Sequence, residues 1–117
     1  MVTAEQAFEA KKLASRYGVP GKVAARYRMA GYEVDVISDD PGAPVHFRAW
    51  KRRESLAVRV YWSSGKVPTS IVEELASNAE GKGRPVLVLY GAGPRVSEEL
   101  LSKAKELGVS VRRVRPS

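Results

Sequence analysis

Positive charge is the chemistry this sequence offers most plainly. Between Asp40 and Lys66 stand six basic residues, Arg48, Lys51, Arg52, Arg53, Arg59 and Lys66, against two acids, Asp40 and Glu54. The C-terminal stretch adds Arg112, Arg113 and Arg115, with no acid after Glu106. Clustered cations suit a polyanionic partner, whereas a surface built only for solubility mixes both signs. Trp50, Tyr61 and Trp62 are interleaved with these cations. An aromatic so placed can stack on a base or fill a core; Trp62 continues an apolar alternation and is expected inside.

Other chemistry is sparse. The chain has no cysteine, which removes disulfides and thiolate metal sites. His46 is the only histidine, so any imidazole-based triad or metal site would have to be built on it; a structural or an exposed position is the expectation. Asp39 and Asp40 precede Pro41-Gly42, which is turn chemistry before it is a metal site. Gly91-Ala92-Gly93-Pro94 lacks both the phosphate-loop lysine and the dinucleotide spacing, and reads as a strand-to-helix turn.

The cations are carried on two β-strands. In Leu56 to Trp62, side chains alternate: Leu56, Val58, Val60 and Trp62 on one face, Ala57, Arg59 and Tyr61 on the other. In the preceding strand Val45, Phe47 and Ala49 oppose His46, Arg48 and Trp50. The pair thus offers one apolar face to a core and a second face of aromatics and cations, where function is expected. Around it the pattern predicts helices over 3–17, with Thr3 and Gln6 in capping-box spacing, and from Val19-Pro20 to about Ala30. A strand over 32–37 and a turn over 38–44 follow. A helix over 71–80 is expected to be capped by Thr69 or Ser70, with Glu73 or Glu74 in its first turn. The apolar run Pro85 to Tyr90 suits a strand buried on both faces, and a helix from Ser97 to Leu107 leads to a last strand over 109–114. The order ααβββαβαβ implies a mixed sheet with helices on both faces, an α/β (α+β) fold in a single domain over 1–117.

Composition narrows the setting. A chain of 117 residues with net charge +7, 44% hydrophobic and 28% charged, is an ordinary globular domain. It has no apolar run approaching the roughly 20 residues that span a bilayer and no basic-then-apolar leader, so a cytoplasmic location is expected, without a membrane partner. One asparagine (Asn78) and one glutamine (Gln6) suggest a thermophile.

The succession of elements resembles the restriction-endonuclease-like superfamily, the PD-(D/E)xK nucleases, with closest likeness to Mrr-type restriction domains and archaeal Holliday-junction resolvases. The likeness runs from about Lys22 to Val114, through Gly31-Tyr32-Glu33-Val34, LAVRVYWSSGKV (56–67), RPVLVLYGAG (84–93) and VSEELLSKAKELGVSVRRV (96–114). It implies a three-layer fold. In that family an acid on one strand, and an acid or Gln plus a Lys two residues apart on the next, hold Mg²⁺ and position the attacking water. Here the matching positions are Arg59 and Tyr61, no acid occupies Pro44 to His46, and the second helix offers Lys22, Arg26 and Arg28 where relatives often carry Glu.

The resemblance therefore implies a degenerate active site on a fold that still binds nucleic acid, double-stranded or branched DNA, without a cofactor. Arg48, Arg59 and Lys66 are expected to contact phosphates, Lys51, Arg52 and Arg53 to form a basic turn, and Tyr61 to join them. Two alternatives accompany this reading. One is an active Mg²⁺-dependent endonuclease in which Asp39, Asp40 or Glu54 have taken over as ligands. The other is a non-catalytic scaffold subunit of a nuclease complex. The resemblance also suggests a homodimer.

Overall fold

The computed structural model describes residues 2–116. The elements are α1 (Ala4–Arg16), α2 (Gly18–Met29), β1 (Glu33–Val36), β2 (Phe47–Lys51), β3 (Glu54–Tyr61), β4 (Gly65–Lys66), α3 (Thr69–Asn78), β5 (Arg84–Tyr90), β6 (Pro94–Arg95), α4 (Glu98–Leu107) and β7 (Ser110–Val114). Five strands form one mixed sheet in the order β1-β2-β3-β5-β7, antiparallel across β1-β2-β3 and parallel across β3-β5-β7. The order of elements is the expected one. The two-residue strands β4 and β6, which pair in parallel beyond the main sheet, were hidden in segments that read as loops.

Helices cover both faces. Under α2, Phe47, Ala49, Leu56, Val58, Val60, Val86 and Val88 pack against Val23 and Ala24. On the opposite face, Ala57, Leu87 and Leu89 pack against Val72 and Leu75 of α3 and Leu100 and Ala104 of α4. The second face of β3, where function was expected, is closed by α3 and α4: Leu56 to Val60 are all buried. A strand between two helical layers has no solvent face, so alternation reports which layer a side chain enters rather than whether it meets water.

Helix α1 lies on α2 rather than on the sheet. Gly21 makes that contact possible, because a Cβ there would sit 2.1 Å from the Leu13 carbonyl oxygen. Arg28 ties the pair together. Its guanidinium donates to Glu9 at 3.0 Å and to the Tyr32 carbonyl. The hydrogen bond from Arg28, and then its charge, hold the Glu9 carboxyl below its ordinary pKa.

Two local expectations change. The Thr3–Gln6 capping box is present at α1, but α3 is preceded by Pro68, with Thr69 already helical and no side-chain cap, and neither Glu73 nor Glu74 in its first turn. And Val45 joins the α3–α4 layer while Phe47 and Ala49 join the α2 layer. The β2-β3 ladder ends at Phe47↔Val58, and the His46 N–H donates to the Val58 carbonyl at 2.8 Å, one residue out of step. That slip turns Val45 to the other side.

Candidate nucleic-acid interface

The expected site residues do not form one surface. Strand β3 runs from Glu54 to Tyr61, about 23 Å at the rise of an extended chain. Lys51, Arg52 and Arg53 lie at one end of it, Lys66 beyond the other, and Arg59 between them inside the protein.

At the hairpin end, Lys51 pairs with Glu54 and leaves Arg52-Arg53 as a two-residue turn. Both arginines are exposed, and Arg52 takes φ 54°, a left-handed conformation that costs a non-glycine residue about 1 kcal/mol. Lys51 is partly committed. Its ammonium donates to the Ala30 carbonyl at the C-terminus of α2, 2.8 Å away, and sits 5.1 Å from the Tyr32 ring centroid. A cation there also meets the negative end of the helix. Arg84, absent from the sequence-based set, completes the group, because the parallel register brings it beside Leu56 at the start of β5. Its guanidinium meets Glu54 at 3.0 Å with both side chains about half exposed; such a pair is worth little and exchanges readily. Lys51, Arg52, Arg53, Glu54, Ser55 and Arg84 line an open depression of about 560 Å³. Four cations face one acid there, and that acid is occupied by Arg84 and by the Tyr32 hydroxyl.

Arg48 stands one step back from the turn. Its Nε donates to the Lys82 carbonyl at 3.3 Å, and its guanidinium lies 5.7 Å from the ring centroid of the exposed Trp50. The Ser55 hydroxyl donates to the same carbonyl. The α3–β5 turn reaches this position through Gly83, whose φ of 137° and close approach to the Ser55 backbone exclude a side chain.

Arg59 is placed differently from expectation. It is 2% exposed, and its Nη1 donates to Glu74 of α3 at 2.9 Å. A buried guanidinium paired with a carboxylate is unavailable to phosphate, so Arg59 is a structural cation under α3. Tyr61 is half-buried and packs against the α3–α4 core, and Trp62, as expected, packs against the α2 layer. The remaining expected cation, Lys66, is exposed on β4.

Of the two expectations for His46, structural or exposed, the structure shows the first. Fully buried, its Nδ1 accepts from the Val60 N–H at 2.9 Å, which leaves Nε2 to donate to the Asp40 carbonyl at 2.7 Å. The ring supplies the partner that the broken ladder denies Val60 and fastens the 38–44 turn to β3. Burial first, and then the charge of Arg59, push its pKa down, so the neutral ring is favoured.

Of the acids named as displaced metal ligands, Glu54 lies far from the adjacent Asp39 and Asp40. Asp40 Oδ1 accepts from the Gly42 N–H within its own turn, and its carbonyl is joined through His46 to Val60. Glu54 stands six residues earlier on the same extended strand, about 20 Å away. Among the described residues no three His, Cys, Asp or Glu side chains gather as a metal-holding group, and no helix is long and apolar enough to cross a membrane.

No protein-family model matches the chain. No curated protein matches it either. Among solved structures the chain is similar to Pyrococcus furiosus SfsA, determined in complex with Ca²⁺, with a TM-score of 0.48 and 16% identity. The superposition covers 95% of this chain and 56% of SfsA, so the chain spans little more than half the length of that protein.

Proposed function

We propose that this domain binds nucleic acid, DNA foremost, through the phosphates, with the β2–β3 hairpin as the main contact, and that it does not cut its ligand. The observation that carries the reading is the hairpin depression, where Lys51, Arg52, Arg53 and Arg84 surround a single acid. A phosphate backbone offers what these residues lack, and released counterions drive the association. Arg84 can exchange Glu54 for a phosphate at little cost because the pair is exposed. Trp50, with Arg48 beside it, offers an aromatic surface next to the cations.

The absence of cleavage follows from Arg59. The resemblance to the PD-(D/E)xK nucleases matches this residue to a position that needs a metal-binding acid, and a buried cation there, even paired with Glu74, supplies no ligand to a divalent metal. Tyr61 supplies no amine two residues on.

The test is a titration of labelled duplex and four-way-junction DNA with wild type and with Arg52→Gln/Arg53→Gln. The double variant is expected to lose about ten-fold or more in affinity at 100 mM salt while melting as wild type does. Unchanged affinity would remove the hairpin from the interface.

A further inference from the structure

We infer that Lys66 and Arg95 form a site for a dianionic phosphate group at the opposite end of the sheet from the hairpin. Strands β4 and β6 pair in parallel with Gly65 beside Pro94 and Lys66 beside Arg95. Registered neighbours in a sheet present their side chains to the same face, so two cations stand next to each other on one small ledge. Both are exposed. Among the described residues neither makes an ion pair, and Glu98 and Glu99, shortly after Arg95, do not turn back to neutralise it. Like charges on adjacent strands oppose the pairing that creates them, and a bound anion of matching charge relieves that opposition.

The ledge is held firmly. The Gly65 N–H donates to the Gly93 carbonyl and the Val67 N–H to the Arg95 carbonyl, with Val67 fully buried beneath. Arg113 of β7 clamps the 91–94 loop from the other side by donating to the Gly91 carbonyl and, at 2.7 Å, to the Pro94 carbonyl. Arg113 therefore fixes the ledge rather than extending it. Gly93 lets the two segments close together, since a Cβ there would fall 2.9 Å from the Ser64 hydroxyl. The ledge also lies beyond the carboxyl ends of the parallel strands β3 and β5, the end at which open α/β sheets gather ligands.

The charge count selects the ligand. A phosphodiester carries one negative charge, whereas a phosphomonoester above its second pKa near 6 carries two, matching the ammonium and guanidinium. A terminal phosphate of a nucleic-acid strand and a free phosphomonoester share this chemistry. The site is independent of the hairpin reading and can hold where that reading fails.

The experiment is thermal melting of the full chain at pH 8 in inorganic phosphate against chloride at equal ionic strength, for wild type, Lys66→Gln, Arg95→Gln and Arg52→Gln/Arg53→Gln. Wild type is expected to gain about 5 °C at ten times the dissociation constant. Each single variant should lose the gain while melting no lower than wild type in chloride, and the hairpin variant should keep it. No gain in wild type, or a gain that survives both single substitutions, overturns the site. Anisotropy with strands bearing a 5′-phosphate or a 5′-hydroxyl, beside melting in adenosine 5′-monophosphate, identifies the source. A ten-fold preference for the phosphorylated strand that vanishes in Lys66→Gln marks a strand end. Equal strand binding with a monophosphate gain marks a free phosphomonoester, and the absence of both effects contradicts the proposal.

Discussion

Removing the Glu74 carboxylate strands a guanidinium inside the protein. Arg59 is 2% exposed, its Nη1 rests on Glu74 at 2.9 Å, and its Nε is already buried without a partner. Breaking a buried pair from one side costs roughly 3–5 kcal/mol. Here the Glu74 side chain is 55% exposed, so water can reach part of the vacated position, and the cost for Glu74→Ala falls to about 2–3 kcal/mol. For a domain of this size that corresponds to a melting temperature lower by roughly 10 °C. Replacing Arg59 by Met in the same background removes the stranded charge and fills much of its volume, so Glu74→Ala/Arg59→Met should recover most of the loss. Urea denaturation of the four proteins of this cycle, with wild type and Arg59→Met included, measures both quantities. A Glu74→Ala protein within about 0.5 kcal/mol of wild type, or a double variant no more stable than Glu74→Ala, would refute the assignment of Arg59 as a structural cation.

Further outcomes are expected. His46 is buried with its pKa held below 6.5, so the unfolded chain binds the proton first as pH falls; its contribution is complete above about 6.5 and is lost from there down toward the folded pKa. Melting from pH 7.5 to 5 should show this decline, and His46→Gln should flatten it; a slope unchanged by the substitution would sink the claim. Gly83→Ala must place a Cβ 2.6 Å from the Ser55 carbonyl at φ 137°, and urea melts should show a loss of at least about 2 kcal/mol. Incubation of linear, nicked and four-way-junction DNA with Mg²⁺ or Mn²⁺ should leave all three intact, and cleavage abolished by Asp39→Ala or Asp40→Ala would reinstate displaced metal ligands. Light scattering at micromolar concentration tests the expected homodimer, with twice 12.8 kDa in favour and 12.8 kDa alone against it.

The order of elements was legible because each carries its own local signal: a capping box at Thr3, Gly108 ending α4 in the left-handed region, an unbroken apolar run in β5. The irregular places were not. The slip at His46 that sends Val45 to the other layer depends on a side chain replacing a backbone partner, and two-residue strands such as β4 and β6 carry no periodicity. The charge cluster was visible, yet its division was not. Six cations within a short stretch read as one surface, but an extended strand carries them to opposite ends of the molecule. A cation in the apolar run Leu56 to Val60 was the available sign that Arg59 is paired inside. Arg84 and Arg95 could not be found beforehand, since only the parallel register places them beside Leu56 and Lys66.

The proposal that the hairpin binds phosphates is tested most directly by the salt dependence of duplex binding, measured by anisotropy between 50 and 300 mM salt. With Arg52, Arg53, Lys51 and Arg84 neutralising phosphates, log affinity should fall with log salt at a slope of about −4. Arg52→Gln/Arg53→Gln should flatten it by about two units, and Arg59→Met should leave it unchanged. A slope near zero, or one that the hairpin substitutions do not alter, would contradict the account.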